Sequence, residues 1–399
     1  MRRPSGLLAL LTAAASALVV GACGADVAGT GDPGAGAWRT LPAAPLSARV
    51  GGVALWTGRE VLVVGGSDAR PCPPNASCAV PATPPLADGA AFDPRAGRWR
   101  RVADAPVPFD WAQGVVAGST AYFWVPGGSG RPDAERAFLA YRIDEDRWER
   151  LPAPPGPREG DRAIVAAGDR IVAYAVSDEQ GEQPDLLFDP RSRSWRELPP
   201  DPNGPAFDRS MAWSGRELIL FDHELVPNPG ARAPSLTRAA ALDVDAGTWR
   251  RLPTSEILAT GPWVLDHGRL INPTLGGADG GEVGNWGRTY PNGGILDPRS
   301  GAWSALPDPP RGQNAIEVFA AGVLTDGGGQ FSGFRGWVLD TAAATWLEVP
   351  PRASDEHTTG QLVSAAGDDL FVFGGARWDA ANRDATLVAD AAVWSPSGG

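Results

Sequence analysis

Short apolar runs, punctuated by glycine and proline, recur along nearly the whole chain, and no stretch carries a convincing helical period. Residues 50–56 and 61–64 flank Gly58, and residues 361–366 and 370–373 flank Gly367. Their length and β-branched content predict strands buried on both faces, joined by hairpin turns at the glycine. Gly118, Gly168, Gly215, Gly268 and Gly322 hold the equivalent place, each 19 to 21 residues beyond a Trp. A second hairpin is written in Leu296-Asp297-Pro298-Arg299-Ser300-Gly301-Ala302-Trp303-Ser304-Ala305-Leu306-Pro307. Asp-Pro begins a tight turn, Gly supplies the positive φ that closes it, Trp leads the returning strand and Pro ends it. Versions of this unit place a Trp at 38, 99, 148, 195, 249, 303 and 346, at spacings of 43 to 61 residues. Each repeat therefore reads as four antiparallel strands.

Seven such units imply an all-β chain, a seven-bladed β-propeller of four-stranded antiparallel blades. The double glycines Gly65-Gly66, Gly127-Gly128, Gly276-Gly277, Gly327-Gly328 and Gly374-Gly375, with Phe92, Tyr141 and Phe188 seven residues before their Trp, resemble the kelch repeat. The resemblance runs from about residue 37 to the end and implies a propeller like the central domain of galactose oxidase. It departs where Val176-Ser177 and Asp222-His223 replace the glycines, and where Leu242, Leu296 and Leu339 replace the aromatic. The terminal Ala391-Ala392-Val393-Trp394 aligns with Ala90-Ala91-Phe92-Asp93, which sets Trp394 at the Asp93 position and leaves the last repeat without its motif Trp. Trp38 is expected to supply it, so that the N-terminal strand closes the last blade. An open or eight-bladed array is the alternative.

Residues 1–23 read as a signal peptide: Arg2 and Arg3, an apolar run from Leu7 to Val20, then Gly21-Ala22-Cys23. The small pair before Cys23 resembles the lipobox of bacterial lipoproteins, which implies a lipidated Cys23; an ordinary secretory signal is the alternative. Residues 24–36 then serve as a flexible tether and residues 37–399 as the propeller. Cys72 and Cys78 remain, close enough in sequence for a local disulfide in an exported protein. The localisation expected is the outer face of a bacterial cell membrane, held by the lipid anchor only. A net charge of -12, with every basic residue an Arg, argues against nucleic acid as a partner. A monomer is expected.

Alternating strand direction puts the links between second and third strands, and those from each fourth strand to the next first strand, on one side of the disc. Length variation concentrates there, in the Cys72/Cys78 loop, residues 222–238 and residues 276–294. Loops on a rigid scaffold are where binding resides. Residues near the start of each first strand form a candidate ring at the channel mouth: Arg49, Asp110, Trp111, Glu159, Arg162, Arg209, Asn314 and His357. In that ring the arginines would donate to a ligand, the carboxylates accept, and His357 titrate near neutrality. His223, His267 and His357 lie in separate repeats without ligand spacing, so solvated histidines and no metal are expected. The copper site of galactose oxidase needs His and Tyr ligands and a Tyr joined to Cys; with all cysteines assigned, no cofactor is expected. The function so read is an extracytoplasmic module binding a protein or carbohydrate. The alternative is a carbohydrate-active enzyme, mutarotase-like or epimerase-like, with its site at the channel mouth.

Overall fold

The computed structural model describes residues 36–73, 76–127, 135–156, 162–227, 231–259, 261–275, 290–308 and 320–396. All belong to one compact unit running from Gly34 to Gly399. Among them there is no α-helix, and strands form seven four-stranded sheets and one of three strands. The first sheet comprises Val53–Trp56, Val61–Val64, Gly89–Asp93 and Arg98–Val102; the second, Gln113–Ala117, Thr120–Val125, Ala137–Arg142 and Arg147–Leu151. Arg162–Ala167, Arg170–Ala175, Leu186–Asp189 and Ser194–Glu197 make the third, and Ala206–Trp213, Leu218–Glu224, Arg238–Asp243 and Thr248–Arg251 the fourth. The fifth holds Val264–Asp266, Arg269–Asn272, Gly294–Asp297 and Ala302–Ser304. These five are antiparallel meanders, consistent with a propeller.

The turn chemistry is as the sequence implies. Gly58, Gly118, Gly168, Gly215, Gly268 and Gly367 all have positive φ. In the second hairpin the motif Asp accepts from the turn backbone: Asp93 Oδ1 takes the N–H of Arg95 and Ala96 at 2.9 and 3.0 Å. Asp243 does the same for Asp245 and Ala246.

The sixth sheet departs from the expected order. Its sequence neighbours Ala320–Thr325 and Gly328–Phe331 pair as a hairpin, but Gly328–Phe331 takes the sheet edge, and Ala320–Thr325 runs parallel to Gly336–Asp340. Thr345–Val349 completes the sheet. Gly322, expected at a turn, sits inside a strand, where a Cβ would lie 2.3 Å from Gln330 O. The turn falls instead at Asp326-Gly327, a stronger hairpin dipeptide than a lone glycine between apolar runs.

In the seventh sheet Leu362–Ala366, Asp369–Phe373 and Ala391–Ser395 are completed by Ala37–Thr40, in the register Trp38 to Trp394. That register corrects the alignment of Trp394. It faces Trp38 as Phe92 faces Trp99, and it faces Leu370 as Phe92 faces Val61, so Trp394 holds the Phe92 position and Ser395 the Asp93 position. One residue of slip would put the indole on the opposite face; as placed, Trp394 is wholly buried.

Packing follows from strands with two buried faces. Val61 and Val63 enter one cluster with Phe371 and Phe373 of the seventh sheet, while Leu62 and Val64 enter another with Ala121 and Phe123 of the second. Further clusters join the second sheet to the third, the third to the fourth, the fourth to the fifth, the fifth to the sixth, and the sixth to the seventh. Each sheet thus packs on the next, and the seventh packs on the first.

The motif tryptophans tie the same neighbours by a hydrogen bond. Trp99, Trp195, Trp249, Trp303 and Trp346 donate Nε1–H to the carbonyls of Pro42, Pro152, Pro199, Pro253 and Pro307, at 2.7 to 3.2 Å. Trp148 donates to Ala103, in the repeat that lacks the proline, and Trp38 donates to Pro350 at 2.7 Å. The acceptor in every case ends the outer strand of the preceding repeat. Pro therefore does more than stop a strand: the carbonyl it leaves unpaired accepts the next indole.

Candidate functional site

The two kinds of link do meet on one side. Thr358–Thr359, which precedes a first strand, pairs with Ala376–Trp378, which follows a second strand, and Ala385–Leu387 completes this three-stranded sheet. Val50 bridges Ser67, and Asp178 bridges Ala206. Backbone bonds also cross from sheet to sheet there: Gly66 N–H to Phe109 O at 2.8 Å, Trp111 N–H to Gly51 O at 2.7 Å, Gly375 N–H to Arg49 O at 2.9 Å, and Arg209 N–H to Val176 O at 2.7 Å. The double glycines permit this approach. Gly374 and Gly375 have φ of 71° and 115°, and a Cβ on Gly374 would lie 2.7 Å from Arg49 O. The Cys72–Cys78 disulfide is formed within the long link of the first sheet.

The members of the expected ring have different surroundings. Arg49 is wholly buried, and its five N–H groups are all taken: Nε by Ser47 O, Nη1 by Gly65 O and Asp88, Nη2 by Ser47 Oγ and Asp88. Arg209 is likewise inside, gripping Asp185 at 2.8 Å, Asp201 at 3.2 Å and Ala175 O at 2.7 Å. Burial opposes its charge, but the Asp185 carboxylate outweighs that and raises its pKa. It thereby staples the fourth sheet to the third. Arg162 is buried against the carbonyls of Ala173 and Pro184, and desolvation lowers its pKa. All three arginines serve the scaffold. Asp110 is half-buried, and His357 is exposed, 3.7 Å from Glu356. Glu159, Asn314 and Cys23 lie outside the described residues.

Trp111 differs from all of these. It is 64% exposed, more than any other large apolar side chain described, and its φ of 54° is one that a bulky residue rarely adopts. Phe109, two residues earlier, is buried and bonded on both sides of its peptide to Leu86 and Gly66. Phe109 anchors the loop and Trp111 projects from it. Behind Trp111 an open hollow of about 390 Å³ runs along the first strands of the seventh, first and second sheets, lined among others by Val53, Leu55, Gly114, Gln361 and Val363. A second hollow, about 460 Å³, follows residues 176–183 and is lined by Asp178, Glu179 and Glu182.

His223 overturns the expectation of solvated histidines. It is buried, with its ring against Phe207 at 5.3 Å and Nε2 without a partner. Burial lowers its pKa, against the pull of Asp208 and Asp222. Its position in place of a repeat glycine was visible in the sequence; its burial was not, because it depends on the register that pairs it with Phe207 of the first strand of the same sheet. Among the described residues no group of three or more His, Cys, Asp or Glu is arranged to hold a metal ion.

No family model matches the chain. A stretch of 100 residues, 25% of the chain, is 28% identical to Kelch-like protein 15 of Danio rerio, and the match spans 16% of that protein's length. This distant similarity and the array of four-stranded sheets fit a kelch or propeller family.

Proposed function

We propose that residues 37–399 close into a seven-bladed kelch-like propeller, carried outside a bacterial cell on a lipidated Cys23, and that its loop side binds a protein or carbohydrate. Closure is supported above all by the bond from Trp38 Nε1 to Pro350 O, which spans 312 residues and repeats what the other motif tryptophans do between neighbouring sheets. The contact of the seventh sheet with the first, through Phe371, Phe373, Phe92 and Trp99, supports it too. Binding on the loop side is supported by Trp111 and by Leu225 and Val226, large apolar side chains exposed there. The strand Ala37–Thr40 runs, as every fourth strand does, from the turn side to the loop side. That strand therefore begins on the turn side, and an anchor attached there would leave the loop side free to face outward. An epimerase-like activity would draw its acid and base from Asp110, Glu159 and His357, since the internal bonds of Arg49 and Arg209 engage them elsewhere.

Photo-crosslinking residues introduced in the cell test this reading. Placed at Leu225 or Val226 they are expected to yield crosslinked products, and placed at Arg95 on the turn side they are not; products from the turn side alone would overturn it. Cys23→Ser tests the anchor. The variant is expected in the medium and the wild type in the membrane fraction with a lipid-modified Cys23; a wild-type mature chain without lipid would overturn the anchored form.

A further inference from the structure

We infer that the hollow behind Trp111 is a binding site for a neutral sugar chain, with the Trp111 indole as its stacking platform. The inference rests on the loop-side reading above and names its ligand. Three observations carry it. The backbone at Trp111 is strained, at φ 54°, and the strain is used to hold an indole out into solvent. Gly51 makes room for it: a Cβ there would lie 3.1 Å from Trp111 Cε2, and the Gly51 carbonyl accepts the Trp111 N–H. A feature that costs folding energy and leaves most of a large apolar side chain in water points to an occupant.

The second observation is the absence of charge. None of the described residues lining the hollow is Asp, Glu, Arg or His, although the molecule carries many of each except His. An acidic or basic segment of another protein would find no counter-charge, whereas a sugar needs none. The third is the form of the hollow. At about 390 Å³ it falls in the range of about 300–1,000 Å³ that takes small ligands. Its apolar wall of Val53, Leu55 and Val363 is interrupted by Gly51, Gly114 and Gly360. Polar groups are few: Ser332, which is exposed, and Gln361, whose amide donates to Asp355 at 3.0 Å and whose oxygen is buried without a partner. Asp355 is itself fixed by two bonds from Arg352, so Gln361 is held in one orientation. A pyranose matches this set. Its C–H face packs on an indole, and its hydroxyls exchange hydrogen bonds with the exposed serine.

The test titrates the purified mature chain with cellohexaose, maltohexaose and chitohexaose, followed by calorimetry, with heparin as a charged comparison. At least one neutral oligomer is expected to bind, with an affinity that does not change between low and high salt. Trp111→Ala should weaken it at least about tenfold, as for an aromatic anchor, and Trp111→Phe less. Ser332→Trp, which keeps Trp111 and fills the hollow, should also abolish binding. All variants should melt as the wild type does. Failure of every neutral oligomer to bind, binding only to heparin, or binding indifferent to both Trp111→Ala and Ser332→Trp would overturn the inference. Those results leave the loop-side reading to its own test, because the crosslinks at Leu225 and Val226 do not pass through Trp111.

Discussion

Arg209 illustrates how far a residue's duty depends on partners distant in sequence. In the chain it is one charge near the start of a strand; in the fold it is almost wholly enclosed, with Asp185 and Asp201 around it. Removing one partner of a buried pair leaves the other charge uncompensated, at about 3–5 kcal/mol. Arg209→Ala is therefore expected to lower unfolding free energy by about that amount in equilibrium urea denaturation, and a loss under about 1 kcal/mol would contradict the staple. His223 gives a pH dependence. Burial holds its pKa below the ordinary 6.5, with Asp208 and Asp222 opposing and Arg238 assisting. The unfolded chain then takes up a proton that the folded chain refuses, so stability is complete above pH 6.5 and declines as the pH falls below it. The slope from one such proton approaches about 1.4 kcal/mol per pH unit. His223→Phe should flatten that part of the profile, and an unchanged slope between wild type and variant would exclude His223 as its source. Arg49, Arg209 and His223 were all conspicuous in the sequence. Their burial was not, because Arg49 meets Asp88 and Arg209 meets Asp185 across links whose course no local pattern prescribes.

At the level of the element, the repeat is a strand hairpin closed by Asp and Gly and joined to its neighbour by an indole. The two contributions of the Trp can be separated. Trp195→Phe keeps an aromatic ring beside Phe138 and Phe188 but removes the donor to Pro152 O, and should cost about 1 kcal/mol for the bond. Urea denaturation of this variant beside Trp195→Ala, expected at about 3 kcal/mol or more, measures both parts. Equal losses would mean that the hydrogen bond matters and the ring does not. Most of this element was legible, since the turn residues and the Trp act within about ten residues of one another. The sixth sheet was not. Gly322 resembles the turn glycines in spacing, and only its neighbours Gln330 and Phe331 show that it is a close-approach glycine inside a strand.

For the whole molecule, the contact of the seventh sheet with the first decides whether the array has ends. An unpaired Ala391–Ser395 strand would expose a sheet edge, a template for association with other chains. Trp38→Ala is expected to speed amide exchange in Ala391–Ser395 before any other strand, since Ala37–Thr40 pairs with that segment alone. Uniform exchange across all sheets would argue that the pairing of Ala37–Thr40 with Ala391–Ser395 is not the weakest joint. Deletion through Thr40 should go further and give larger, concentration-dependent oligomers than the full chain by light scattering.

The sequence by itself determined the strand content, the four-strand repeat and the recurrence of the motif Trp. These depend on side-chain alternation, turn residues and spacing, all of which act over short distances along the backbone. It also located Trp38 as the strand that completes the seventh sheet, because the last repeat stops short of its own Trp. Only the tertiary structure decided that Trp394 faces Trp38, that the Pro carbonyls accept the indoles, and that Arg49 turns inward while Trp111 turns out. Phe109, Asp110 and Trp111 are equally able to face either way in an isolated loop. What fixes them is Gly66 binding the carbonyl of Phe109 and Gly51 making room for Trp111, contacts between segments more than forty residues apart in sequence.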